Sequence, residues 1–375
     1  MSEVRVNNLS NENNTGGPTI SGITTYSGRH FFVPPQGDTA SRPEDCEPGS
    51  LRFNTDSAHL EYFRGNTIGW VEIEAELASD VLGGGTGSNT GLGYRGLIGG
   101  GNPTTSDVQF LTISTLGDTQ DFGDLSVARR TLQGCASRTR ALFCGGYSTS
   151  NVVDFHEFAS TGNFTDFGDF NSSGRFHLMS TSSETRGLVA GGVPSPTNVI
   201  DMFTIASTGD GIDFGDLTTT LAYGGAMSSS TRSMFTGNDS GNQNTICFVI
   251  TSTQGNATDF GDVSVPKTSA QGGGNATRGI IAGGNLQPSN SYTNQIDFIT
   301  LATTGNGIDF GDLTSARGFN ANMDSPTRTV FGGGYNDTDT IDFIQTATTG
   351  NAVDFGNMTA DSGGNAGVSN GHGGL

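Results

Sequence analysis

IDFITLATTGNGIDFGDL, residues Ile296 to Leu313, is one of six related stretches in this chain. Each copy ends in Asp-Phe-Gly followed by Asp or Asn, and the first Asp falls at Asp121, Asp166, Asp213, Asp259, Asp309 and Asp354. An Ile or Val stands 13 residues before that Asp in every copy: Val108, Val153, Ile200, Ile246, Ile296 and Ile341. A Gly stands four before it: Gly117, Gly162, Gly209, Gly255, Gly305 and Gly350. Six copies of constant span describe a single supersecondary unit used six times.

Around this core every unit carries an Arg, a short apolar run and a double Gly. The arginines are Arg95, Arg140, Arg186, Arg232, Arg278 and Arg328, spaced 45, 46, 46, 46 and 50 residues apart. Gly100-Gly101, Gly145-Gly146, Gly191-Gly192, Gly283-Gly284 and Gly333-Gly334 follow, with Gly237-Asn238 in the fourth copy. No helical periodicity of useful length accompanies them. Each unit therefore reads as four short strands: Arg-apolar-Gly-Gly, Ile-Asp-Phe, the DFGD strand and the stretch leading to the next Arg. Four strands at this period are the signature of a propeller blade. An open array would expose two sheet edges. Asp354 lies 18 residues before His372, against 19 or 20 from Asp to Arg elsewhere, so His372 occupies the Arg slot. Arg95 has no DFGD strand before it, and the last strand is expected to fill that gap and complete six blades.

The composition agrees. The 59 Gly, with many Ser, Thr and Asn, suit short strands and tight turns. A net charge of −20 argues against nucleic acid, which needs a Lys/Arg surface, and against anionic membranes. No apolar run approaches a membrane span, and MSEVRVNNLSNENN has neither the basic segment nor the apolar core of a signal peptide. Cys46, Cys135, Cys144 and Cys247 lack paired spacing and read as small buried residues rather than as disulfide or zinc sites.

Before the array, residues 1 to about 25 are polar, and Pro34, Pro35, Pro43 and Pro48 enforce extended or turn geometry. Leu51, Phe53, Leu60, Tyr62, Phe63, Trp70, Val71 and Ile73 suggest three short strands around the only Trp, and Gly83–Gly93 reads as a connector. The expected organisation is an arm and small β-unit over 1–80, a Gly-rich linker over 81–94 and a propeller over 95–375.

Double Gly after an apolar strand at this period resembles kelch-type propellers, although the following aromatic appears only as Tyr147 and Tyr335. IASTGDGIDFGDLT (Ile205–Thr218), SSTRSMFTG (Ser229–Gly237) and the ending SNGHGGL resemble kelch-like virion structural proteins of tailed phages that infect marine cyanobacteria. GSLRFNTDSAHLEYFRGNTIGWVEI (Gly49–Ile73) is similar to a β-unit of phage fibre and baseplate proteins. The resemblance covers about residues 49–375. It implies an all-β fold, a six-bladed kelch-like β-propeller with a small N-terminal β attachment region. It also implies a virion protein made in the bacterial cytoplasm, fibre-like, joined to other virion proteins through its N-terminal region and facing host surface glycan. Such fibres are often homotrimers, but no heptad supports that number here. A purely structural decoration subunit is the alternative.

No enzyme is expected. The DFG triplet lacks the Lys–Glu pair and His-Arg-Asp loop of kinases, and Phe122, Phe167, Phe214, Phe260, Phe310 and Phe355 are expected to fill core between blades. The repeated Arg is expected to clasp the DFGD aspartates. Those aspartates lack the spacing of calcium loops, so neither metal nor cofactor is expected. His30, His59, His156, His177 and His372 form no triad, and His156 and His177 read as surface residues. Between double Gly and Ile/Val the fifth unit alone is long, through Asn285–Gln295. Variable loops carry binding, so Asn290, Tyr292 and Asn294 are the candidate receptor contacts.

Overall fold

Each repeat folds as one antiparallel sheet, and the same irregularity marks all of them. The computed structural model describes residues 34–43, 46–56, 59–73, 94–147, 150–171, 173–194, 197–237, 244–335 and 338–375. The expected N-terminal arm, the Gly83–Gly93 connector and Asn238 lie outside the described residues. The chain divides into two compact units, Met1–Ala75 and Glu76–Leu375.

In the larger unit the described residues form six four-stranded antiparallel sheets, an all-β, propeller-like arrangement. One of them runs Met179–Ser182, Arg186–Ala190, Val199–Thr204, Ile212–Asp216, in that spatial order. The expected assignment of four strands per repeat holds, with the stretch before each Arg pairing with that Arg strand. The strand Ala366–Ser369 pairs with Arg95–Gly99, Ala366 opposite Gly99 and Ser369 opposite Gly96, as the vacant place before Arg95 required. The Arg strands are apolar on both faces because sheets cover both. In RGLVA the four residues after Arg186 are all buried.

The irregularity is a β-bulge at the DFG Phe. Ile296 pairs with Gly311 but Asp297 pairs with Asp309, leaving Phe310 without a partner. The register shifts at the same place in the other five sheets. A bulge re-aims its side chain, here from the sheet face into the gap between sheets. All six phenylalanines are at most 3% exposed, as expected of core. Phe122 meets Phe164 of the following sheet at 5.9 Å, in a cluster that also holds Phe143 and Phe158.

Both invariant glycines meet at one point. A Cβ on Gly311 would lie 2.5 Å from the carbonyl oxygen of Gly350, the fixed Gly of the next repeat. Across that contact Gly350 N–H donates to Phe310 O at 2.8 Å, and Asp312 N–H donates to Asn351 Oδ1 at 3.1 Å. The same pair of bonds joins every repeat to its successor, including the last to the first: Gly117 N–H to Phe355 O at 2.9 Å, and Asn357 N–H to Asp118 Oδ1 at 2.9 Å.

The repeated arginines do not clasp the DFGD aspartates. Their strand is second in the sheet and the DFGD strand is fourth, about 10 Å away at ordinary strand spacing. Instead Arg328 Nη1 donates to Ile113 O at 3.1 Å and Ser114 O at 2.9 Å in a turn of another sheet. Its guanidinium lies 4.7 Å from the centre of the Phe343 ring. Arg95, Arg140, Arg232 and Arg278 repeat both contacts; Arg186 keeps the carbonyl, at Thr251, while Met202 occupies the place of the ring.

The charged clasp belongs to residues the sequence reading passed over. Eight or nine residues after the DFG Asp come Arg129, Arg175, Lys267 and Arg317, and each is buried against the Asp that follows Ile/Val in the next repeat. Arg129 pairs with Asp154 at 2.5 Å, Lys267 with Asp297 at 3.0 Å and Arg317 with Asp342 at 2.9 Å; Arg175 pairs with Asp201. Arg129 Nη1 also donates to Gly145 O at 3.0 Å and Val152 O at 2.8 Å, tying the double-Gly turn to the clasp. At the two remaining junctions both partners are uncharged: Leu221 with Cys247, and Ser362 with Gln109. A buried charge is tolerated only with its counter-charge, so the two members of each junction change together.

In the smaller unit Leu51–Asn54, His59–Phe63 and Trp70–Ile73 form the three expected strands, with Gln36–Gly37 adding a fourth in parallel. Trp70 donates to Pro43 O at 3.0 Å and stacks on Phe63 at 5.5 Å. Glu61, fully buried, is held below the usual carboxylate range first by its hydrogen bond from Arg42. Cys135, Cys144 and Cys247 are buried as expected, whereas Cys46 is only half-buried.

Replacing Arg317 by Leu alone leaves Asp342 buried without its cation and is expected to cost about 3–5 kcal/mol. The double change Arg317→Leu with Asp342→Cys copies the Leu221–Cys247 junction and is expected to restore most of that loss. Urea midpoints of the two variants check it, and a double variant as weak as the single one contradicts a paired clasp.

Candidate functional site

Ten or eleven residues after each DFG Asp stands a residue in the left-handed region: Thr131 (φ 52°), His177 (52°), Tyr223 (54°), Ser269 (60°), Phe319 (59°) and Gly364 (70°). Only glycine adopts this conformation freely; the other five each cost about 1–2 kcal/mol. A circuit of backbone hydrogen bonds holds them. Thr131 N–H donates to Gly364 O (2.7 Å), His177 to Thr131 (3.0 Å), Tyr223 to His177 (3.1 Å), Ser269 to Tyr223 (2.5 Å), Phe319 to Ser269 (2.8 Å) and Gly364 to Phe319 (3.0 Å).

The side chains on this circuit differ in every repeat. His177 meets Tyr223 at 4.2 Å and Phe319 at 5.0 Å, ring centre to ring centre. Phe176 lies 5.1 Å from His177 and 5.2 Å from Tyr147, and Tyr335 meets Phe319 edge-on at 4.9 Å. The result is an arc of six aromatic rings, of which Tyr147 is 48% exposed and the others half-buried. A void of about 10 Å³ under the arc, room for one water, is bridged by Gln133 donating to Gln271 at 3.0 Å. At one end of the arc the Arg130 guanidinium lies 4.3 Å from the Tyr147 ring centre and donates to Asn102 Oδ1 at 2.8 Å.

The expected receptor loop lies beside this arc. Asn285–Leu286 and Ser291–Tyr292 form a hairpin that pairs with Lys267–Thr268 in a small three-stranded sheet. Half-buried Tyr292 packs close to Gly318, the residue before Phe319: a Cβ there would lie 3.1 Å from Tyr292 Cε1. Asn290 is exposed at the hairpin tip with φ 56°, its Oδ1 accepting from Asn285 Nδ2 at 2.9 Å. Asn294 is half-buried, and its carbonyl accepts from Leu313 N–H at 2.7 Å. Of the three, Tyr292 is the one the structure brings next to the aromatic arc. His177, expected as a surface residue, stands inside the arc; burial, then the positive charge of Arg130, lowers its pKa to about 4. Half-buried His156 sits edge-on to Phe122 at 5.2 Å.

A second cavity, of about 50 Å³, is lined by the innermost strand of every sheet and by His372 and Gly373. It brings together Ser182, His372 and Asp324, residue types that catalyse hydrolysis elsewhere. Their bonding does not allow it. His372 Nε2 lies 2.8 Å from Ala136 O, to which it must donate, and its Nδ1 accepts from Gly374 N–H at 3.1 Å. In that tautomer Nε2 cannot take a proton from Ser182, 3.1 Å away, whose Oγ donates to Ala136 O and accepts from Ala136 N–H. Asp324 accepts from Gly274 N–H at 2.8 Å and from Asn322 Nδ2, and burial lifts its pKa to about 7. His372 is pushed down to about 4, again chiefly by burial. Among the described residues no group of three or more His, Cys, Asp or Glu is placed to hold a metal ion.

No protein-family model matches the chain, and no curated protein matches it either. The arc escaped the sequence reading because His177, Tyr223 and Phe319 are unlike residues at one slot, and Tyr147, Phe176 and Tyr335 come from other slots. The signal was available: the slot ten or eleven residues after each DFG Asp holds Thr, His, Tyr, Ser, Phe and Gly, a different residue in every repeat, as does the slot two before each repeated Arg.

The buried groups set a pH dependence of opposite signs. His177 and His372 stay neutral in the fold down to about pH 4, whereas in the unfolded chain they take up protons below their ordinary 6.5. Their contribution is lost as pH falls from 6.5 towards 4. Asp324 keeps its proton in the fold up to about pH 7, against 3.8 unfolded, so its contribution is full below 3.8 and lost as pH rises towards 7. Asp324→Asn is therefore expected to gain melting temperature over the wild type, by a few degrees, between about pH 4 and pH 8. A difference that does not change with pH contradicts the buried, neutral Asp324.

Proposed function

We propose that this chain is a non-enzymatic virion structural protein, a closed six-bladed kelch-like propeller held out on a fibre-like projection to meet glycan on the host surface. The N-terminal region, residues 1–80, serves as the attachment to other virion proteins. The pairing of Ala366–Ser369 with Arg95–Gly99 supports closure, as does the hydrogen-bond circuit that returns from Gly364 to Thr131.

One observation carries the functional reading: repeated polar residues are consumed by structure, while the left-handed slot, which has no such role, holds a different residue in every repeat. The repeated Arg binds backbone carbonyls, the buried Asp binds Arg or Lys, and the Ser182–His372 contact is locked by backbone bonds. A scaffold of this kind presents a surface rather than a reaction. The decoration alternative, in which that surface packs on a neighbouring virion protein, draws support from the 48% exposed Tyr147 ring, since exposed aromatics are enriched where proteins meet.

Incubating purified protein with host lipopolysaccharide separates the readings. Retained binding with intact glycan is the expected result; shortened glycan would make it an enzyme, and no interaction favours decoration. Deleting residues 1–80 is expected to leave a folded propeller that no longer enters particles. Normal incorporation of the deleted chain rules out the attachment role.

A further inference from the structure

We infer that the aromatic arc and Arg130 form a binding platform for a sugar residue that carries a carboxylate. The inference rests on the host-surface reading above and specifies its ligand. Aromatic rings offer apolar area and polarised edges on which the C–H face of a sugar ring packs, and Tyr147, Phe176, Tyr223, Phe319 and Tyr335 stand along one arc. Two features select a charged sugar over a neutral one.

The first is charge. In a chain of net charge −20, Arg130 is half-exposed at the edge of the arc, and among the described residues no carboxylate pairs with it. Its bonded partner is the neutral Asn102, through Nη1 alone, which leaves guanidinium N–H groups for a ligand. A planar guanidinium fixed on a ring is pre-organised for two parallel bonds to a carboxylate. The second is shape. On the left-handed circuit the bulky side chains His177, Tyr223 and Phe319 are interrupted by Gly364 and Thr131, which are neighbours. The nearest side-chain atoms to a Cβ built on Gly364 are Thr131 Cγ2 at 3.3 Å and the Tyr335 hydroxyl oxygen at 3.7 Å. Glycine at 364 thus leaves the arc without a ring between Tyr335 and the Thr131–Arg130 segment. A sugar ring lying on the tyrosines directs its carboxylate to Arg130.

Titrating the full-length protein with trigalacturonate and with a galactose trimer tests the inference. Trigalacturonate is expected to bind at least ten-fold more tightly. Arg130→Gln is expected to abolish that preference at an unchanged melting temperature, Arg130→Lys to restore part of it, and Tyr147→Ala to weaken both ligands. Equal affinity for the two trimers, no binding of either, or an Arg130→Gln variant that keeps the preference overturns it. So does a self-associating protein whose dimer is lost in Tyr147→Ala, which would make the arc an interface between copies. The host-surface reading is decided separately, by adsorption of the same proteins to host cells. Equal adsorption of wild type and Arg130→Gln leaves that reading standing and removes this one; adsorption of neither removes the reading itself.

Discussion

Two glycine backbones in contact are the constraint on which the larger unit depends. Gly311 and Gly350, and their five counterparts, approach so closely that a single added carbon on the first would sit inside a carbonyl of the second. That approach lets Phe310 O reach Gly350 N–H and Asp312 N–H reach Asn351. It also brings the bulged Phe310 into core shared with the next sheet. The fixed spacing of Gly, Phe and Gly is therefore the spacing of a joint between sheets, not of a turn inside one. Relaxing the joint in any repeat would separate the aromatic cores on both sides of it.

Around this joint polar interactions divide into two kinds. The half-buried Arg of each repeat crosses to a neighbouring turn and satisfies carbonyls there, while its guanidinium covers a Phe ring. The buried Arg or Lys meets a buried Asp, an arrangement whose net stability is small because both ions are desolvated. The Leu221–Cys247 and Ser362–Gln109 junctions show that the fold accepts an uncharged version. What the clasp contributes is pairing: a cation at one junction is matched by the acid of the next repeat and by no uncharged residue. Single losses are therefore severe and joint losses mild.

The aromatic arc follows a different logic. Three of its rings, His177, Tyr223 and Phe319, stand in a conformation that glycine prefers, and of the six equivalent positions only Gly364 uses glycine there. The backbone circuit fixes that conformation whatever the side chain, so the slot is free to vary without disturbing the joint or the clasp. At this slot the structure accepts variation, and it holds rings of unequal size near Arg130, a cation without a carboxylate partner among the described residues.

By itself the sequence determined the number of units, the four strands in each, the core role of the DFG phenylalanines and the pairing of the last strand with the Arg95 strand. Those features are local or periodic, and constant spacing exposes them. The partners of the charges were decided only by tertiary structure. Arg328 and the DFGD aspartates share a repeat but are held apart by the strand between them, whereas Arg317 and Asp342 lie 25 residues apart and meet across a joint. The arc was likewise invisible, because no two of its rings are close in sequence except Phe176 and His177. Only the packing of successive sheets around a shared circuit brings Tyr147, Tyr223, Phe319 and Tyr335 into one arc, with Tyr292 of the long fifth-repeat loop beside it.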